Sequence, residues 1–380
     1  MKKTILTLTI ATLLITPSLR AEEVQYPPIN PALLYWQAAS QLPQLSEAQA
    51  TQLNDLAGGR KPFDASKDKD LLNASNALRL IRKGAESTVD CDWGLPMEDG
   101  PLMLMPHLAK IREMSSLAIV QAESLFAQGK VKEGTEWLLT AHRMARHSGV
   151  GDILICNLVQ FAIETNALRA AARHCLDWDE ATRKSYAAEL KNLPPMHSTR
   201  TAYRGERVFA DWVEKRFSQP GMTPEAIKEL AKDILVDHKP EDKATIISEL
   251  SAGNVHKVMA ELRAIEDRRD VLLSKPWKQG APELAALAEE IGHSQYLLVR
   301  GTLPSVISVP EKQYVLATLQ HMLEAALQYG RQLDEKAAAT YHDEFEGEPL
   351  RLKKSEDGTL TLISAHQQPA GKDISLQLGK

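Results

Sequence analysis

Apolar residues recur every third or fourth position along most of this chain. Leu102, Leu104, Met105, Leu108, Ile111, Leu117, Val120 and Leu125 form one such run, a spacing that lines one face of a helix rather than of a strand. Helix-start signals accompany the runs. Asn30-Pro31 places an N-cap before a proline whose missing N–H costs nothing there, and Ser46 with Gln49 reads as a capping box. Gly100-Pro101 opens the run above, Lys130 to Ser148 repeats it with Gly149 as a C′ residue, and Asp152 to Leu176 is a strongly apolar helix. Asp177 caps a shorter helix that ends before Pro194-Pro195. Thr223-Pro224, Lys239-Pro240, Ala281-Pro282 and Val309-Pro310 restart helices, leaving little room for a central sheet.

After Gly347 the period changes. Leu350 and Leu352, then Leu360, Leu362 and Ile363, flank Asp357-Gly358, and alternation about an Asp-Gly turn predicts a hairpin. Ile374, Leu376 and Leu378 suit a third short strand. The expected fold is all-α, an antiparallel array of about a dozen helices, with a small C-terminal β-ribbon. Its expected divisions are a signal peptide at 1–21, a helical region at 22–195, a second at 196–341 and the ribbon at 342–380.

Within the first region, Ala122, Leu125, Gly129, Val131, Gly134, Leu138 and Ala141 fall at the spacings of one tetratricopeptide motif, in which small and large residues alternate so that two helices pack closely. No second copy follows at a period of 34, and a solenoid needs about three. An isolated helical hairpin is the better reading.

The first 21 residues predict export. Lys2 and Lys3 precede an apolar run from Ile5 to Ile15, and Leu19-Arg20-Ala21 suits cleavage. The run is shorter than the about 20 residues of a membrane span, so no transmembrane helix is expected in the mature chain. The expected location is periplasmic or envelope-associated. Removing Lys2, Lys3 and Arg20 leaves 42 basic against 50 acidic residues. That balance, with no basic stripe interleaved with aromatics, argues against a nucleic-acid partner. Cys91, Cys156 and Cys175 allow at most one internal disulfide, or three buried thiols.

The segments Cys91-Asp92-Trp93-Gly94, Asp99-Gly100-Pro101, Met105-Pro106-His107-Leu108 and Ala141-His142-Arg143-Met144-Ala145-Arg146-His147 resemble those of a class of uncharacterised exported α-helical proteins of bacteria with two-membrane envelopes. The tail from Asp343 to Leu352 is similar to their "DPF-x-G-x-PLRY" ending, an element also found at the C-terminus of type II secretion pseudopilins. It departs from that pattern at Glu344, where proline is usual, and at Leu352, where an aromatic is usual. The closing Ala370-Gly371-Lys372-Asp373 is a reduced form of the glycine- and aspartate-rich close that helps bind calcium in pseudopilins, so no calcium is carried over. The polar, proline-rich residues from Glu22 onward also differ from the apolar assembly helix of a pseudopilin.

Enzymatic signatures are absent: no Walker loop, G-x-G-x-x-G, G-x-S-x-G, H-E-x-x-H or C-x-x-C occurs. No cofactor and no metal are expected. Four groups are candidate binding residues. His142, Arg143, Arg146 and His147 crowd one helical turn, where they either hold an anion or complement the helix dipole. Arg200, Arg204 and Arg207 form a stripe that either docks carboxylates or phosphates or pairs internally, Arg207 with Asp211. Asp92 and Trp93, in a loop near Asp90, Glu98 and Asp99, either serve a ligand or form a buried lid. The acids Asp343, Glu344, Glu346 and Glu348 either offer oxygens to calcium or are solvated. The expected function is that of a noncatalytic scaffold or protein-interaction protein whose partner is another envelope protein. The alternatives are an envelope hydrolase or lyase acting on wall or polysaccharide, and a ligand-binding protein.

Overall fold

The computed structural model describes residues 28–235, 239–251, 253–302, 306–368 and 371–379. The expected leader at 1–21, and Ala370, lie outside them. Seventeen α-helices and one sheet make up the described residues, an all-α array with a C-terminal β-ribbon as expected. The helices are α1 (Pro31–Ala39), α2 (Glu47–Ala57), α3 (Ala65–Asp68), α4 (Ser75–Ala85), α5 (Pro106–Ala127), α6 (Val131–Ser148), α7 (Leu154–His174), α8 (Glu180–Lys191) and α9 (Thr199–Gly205). They continue with α10 (Arg207–Phe217), α11 (Pro224–Ile234), α12 (Pro240–Glu249), α13 (Val255–Leu272), α14 (Trp277–Gly292), α15 (Leu297–Thr302), α16 (Ser308–Tyr329) and α17 (Glu335–Ala338). Strands β1 (Arg351–Lys354), β2 (Leu360–Gln367) and β3 (Asp373–Leu378) form an antiparallel meander, with Leu352 opposite Leu362 and Leu362 opposite Leu376.

The long helices α5, α6 and α7 form the centre, and α16 returns to pack on α7, α8 and β3. Their apolar faces build one cluster that runs from Ala32 to Leu378, including Leu138, Leu168 and Met322. A second cluster, from Ala210 to Val306, lies among α10 to α15. The turn of the α5–α6 hairpin carries Gly129 at φ 73°. A Cβ on Gly134 would stand 2.4 Å from Phe126 Cε1, so only glycine lets the two helices approach this closely there.

Local signals set most helix starts. Asn30 and Ser46 cap α1 and α2 with their side chains, the second in a full capping box. Four boundaries differ from expectation. The helix expected at Gly100-Pro101 starts at Pro106, because Gly100, at φ 60°, lies so close to Trp212 of α10 that a Cβ would meet the indole at 2.4 Å. Asp179 rather than Asp177 caps α8, accepting from the Thr182 N–H at 2.7 Å. Pro282 sits inside α14, which already begins at Trp277. Gly149 ends α6 in a right-handed conformation, and a side chain there would collide with Gln160 Oε1 at 2.3 Å.

Candidate functional site

The residues singled out in the sequence divide between two places. Asp92, Trp93, Arg143 and His147 gather near α1 and the C-terminal end of α6. Asn30 begins that assembly: its Oδ1 accepts the Asp92 N–H at 3.1 Å and its Nδ2 donates to the Asp92 carbonyl at 2.7 Å. The Asp92 carboxylate accepts the Gly94 N–H at 2.8 Å, which closes the turn and aims Trp93 inward. Trp93 Nε1 donates to the His147 carbonyl at 2.8 Å, and its ring stacks on His107 with centroids 4.6 Å apart. Tyr35 lies 5.8 Å from Trp93 on one side, and Trp36 meets it edge-on at 6.3 Å. The Tyr35 hydroxyl and His147 Nδ1 share a hydrogen bond of 2.8 Å.

Burial sets the chemistry of this stack. It pushes His107 down to about 4, and it pushes His147 down to about 4 with the neighbouring Arg143 charge adding to the effect. Both imidazoles are therefore neutral at pH 7. Burial likewise holds the Tyr35 phenol protonated, well above its usual range. His107 Nε2 is buried and has no hydrogen-bond partner among the described residues. Arg143 turns to Glu189 of α8 at 3.2 Å. Around this rigid centre the apolar surface is open: Leu33 on α1 is 55% exposed, Trp36 38%, and Leu104, three residues before His107, 81%. The helix spacing had counted Leu102 and Leu104 toward the core. The later start of α5 leaves them outside it.

The other two members of the His-Arg turn face the interior. His142 and Arg146 hold an anion of their own chain, Glu164 of α7. His142 Nδ1 lies 3.0 Å from Oε1, Arg146 Nη2 donates to Oε1 at 3.2 Å, and Nη1 lies 2.9 Å from Oε2. Tyr186 of α8 reaches His142 Nε2 at 2.8 Å, and Arg146 Nε donates to the Pro194 carbonyl at 2.9 Å. Burial alone would raise the Glu164 carboxyl, but His142 and Arg146 outweigh it and hold it at about 2. A charged residue inside the apolar run Phe161 to Leu168 was the signal for this network.

The arginine stripe faces α13. Arg200 and Arg204 both fork onto Asp270, at 2.9 Å through each arm of Arg200 and at 2.6 and 2.8 Å for Arg204. Arg207 reaches Asp267, while Asp211 pairs with Arg263 instead of Arg207. Beside these pairs, the Arg269 guanidinium lies 3.6 Å over the Tyr203 ring, and burial pushes Glu206, which accepts the Leu154 N–H, up to about 7. Nothing in the sequence pattern pointed to this cluster.

Three acids of the tail have structural partners: Glu344 lies 3.4 Å from His321, Glu346 3.3 Å from Lys278, and Asp343 is tied into its own loop. Asp343 accepts the N–H groups of Phe345, Glu346 and Gly347 at 3.1, 3.0 and 3.2 Å and the Ser364 hydroxyl at 2.8 Å, which shapes the loop before β1. Cys91, Cys156 and Cys175 are buried free thiols, each pushed up to about 12 chiefly by burial. Among the described residues no group of three or more His, Cys, Asp or Glu is arranged to hold a metal ion, and no helix is long and apolar enough to cross a membrane.

Cavities supply the remaining test of chemistry. An open groove of about 780 Å³ is lined by Glu47, Asp64 and Asp68, where Ser66 and Lys67 hold the Asp64 carboxyl at about 2. A cleft of about 530 Å³ lies between the Gly58–Phe63 loop, α7 and β3. A hollow of about 180 Å³ reaches Glu164, His321 and Glu324. Comparison with known proteins finds no matching family model, curated protein or solved structure.

Proposed function

We propose that the chain is a noncatalytic helical interaction protein of the bacterial envelope, and that its binding face is the apolar surface around Trp93. The observation that carries this reading is the exposure of Leu33, Trp36 and Leu104 beside a stack whose every ring is fixed by neighbours. Exposed aromatic and aliphatic side chains on a rigid support suit protein recognition, because little conformational freedom is lost when they are covered. The leader-like first 21 residues support the location, and the α5–α6 hairpin supports the class.

An envelope hydrolase or lyase is less well supported. General acid catalysis needs a carboxyl that still holds its proton near neutral pH and faces substrate. Glu164 and Asp64 are held ionised, whereas Glu206 and Glu266, which burial raises, line none of the three cavities. The hollow at Glu164 is also below the roughly 300 Å³ at which ligand pockets begin.

The test is capture on the immobilised full chain from an envelope fraction. A protein retained by the natural chain and lost with Leu33→Asp and with Leu104→Asp, at unchanged melting temperatures, supports the reading. Equal retention by both variants refutes it.

A further inference from the structure

The cleft beside β3 is a second surface, separate from the Trp93 face. β3 is an edge strand of six residues, about 20 Å long. Among the described residues its outward backbone groups find no partner until Gly379, whose N–H donates to the Ala172 carbonyl at 3.0 Å. Natural proteins normally cover such an edge or blunt it with charge. Here the edge opens on the cleft of about 530 Å³, whose far wall carries Pro62 and Phe63.

The charge of the cleft is one-sided. Its lining holds Lys61, Arg169 and Arg173 against the single carboxylate of Glu123. Arg173 is committed to Glu123 at 2.6 Å and is pressed against Gly59, and Lys61 pairs with Asp55 at 2.9 Å. Arg169 has neither a hydrogen bond nor an ion pair among the described residues, and burial, with the Arg173 charge one turn away, makes its own charge more costly.

We infer that this cleft receives an extended acidic peptide segment of a partner protein, which adds as a strand to β3 and places a carboxylate on Arg169. Backbone pairing supplies affinity in this mode, and the side-chain pockets supply selection. A small anion would satisfy Arg169 but would leave the strand edge open, so the peptide uses more of what the cleft offers.

The test is to pan a displayed random octapeptide library on the full chain, then measure synthesised clones by fluorescence anisotropy and hydrogen exchange. The inference expects clones rich in Asp and Glu that protect the β3 amides from exchange. It expects them to bind Arg169→Glu at least about tenfold more weakly, the loss of one charge-assisted contact, and Arg169→Gln to show a loss in the same direction. Melting temperatures should not fall, since Arg169 has no hydrogen bond or ion pair among the described residues to lose and its charge is opposed by Arg173, and Leu33→Asp should bind the clones normally, which separates this cleft from the Trp93 face. Clones without acidic residues, undiminished binding to Arg169→Glu, or unchanged exchange in β3 would overturn it, as would displacement of every clone by millimolar inorganic phosphate.

Discussion

Replacing Glu164 by alanine removes the one carboxylate that, among the described residues, pairs with Arg146 and His142 inside the helical centre. The side chain of Arg146 is 8% exposed and that of Glu164 1%. Breaking such a pair by deleting one member leaves a buried charge without a counter-ion, at a cost of about 3–5 kcal/mol. The pKa gives the same order: holding the carboxyl at about 2 instead of its ordinary 4.5 is worth about 3 kcal/mol. For a chain of this length, an unfolding entropy of about 2.1 cal/mol/K per residue gives about 0.8 kcal/mol/K, so the melting temperature should fall by about 4–6 °C. The assay is thermal unfolding followed by circular dichroism, with Glu164→Leu combined with Arg146→Met as the control. The double variant should recover most of the loss, because apolar replacement of both partners is commonly neutral or better. The folded pKa is depressed, so this stability is present above 4.5 and is lost as pH falls toward about 2. A melting temperature for Glu164→Ala within a degree of the natural chain would refute the reasoning.

His107 and His147 are neutral in the fold and ordinary in the unfolded chain, so the unfolded state gains protons first as pH falls from 6.5 to about 4, and stability drops over that window. Tryptophan emission should shift to the red across it, and His107→Gln with His147→Gln should flatten the shift. An unchanged emission between pH 6.5 and 4 would contradict the buried placement. Glu206 behaves in the opposite sense: the folded state keeps its proton up to about 7, so stability falls as pH rises from 4.5 to 7, and Glu206→Gln should melt higher than the natural chain at pH 8. A lower melting point there would show that the ionised form is the one the fold prefers. Arg204→Ala with Arg207→Ala should lower the melting temperature by only about a degree or two, because exposed ion pairs contribute little. A fall of many degrees would show that the stripe carries the docking of α9 and α10 onto α13.

The sequence was most legible where a local cause decides the outcome. The caps at Asn30 and Ser46, the tight α5–α6 hairpin and the Asp-Gly turn before β2 each follow from residues within a few positions of one another. It was least legible where a distant side chain intervenes. Gly100, at φ 60°, packs against Trp212, 112 positions later, and α5 starts only at Pro106, with Leu104 exposed before it. Charge patterns were readable as clusters but not as destinations. His142 and Arg146 face inward to Glu164 while Arg143 and His147 face Glu189 and Tyr35, because the two i,i+4 pairs point in different directions from a helix that is packed on several sides. The Arg200, Arg204 and Arg207 spacing showed a stripe, yet its partners on α13 lie 60 to 70 residues away.

The most direct test of the interaction reading is site-specific photocrosslinking in the native envelope. A photoreactive phenylalanine analogue placed at Leu33 or at Trp36 should give a discrete adduct with one other protein, and the same analogue at Lys184, an exposed position of α8, should give none. Absence of an adduct at both positions, or an equal adduct at Lys184, would contradict the account.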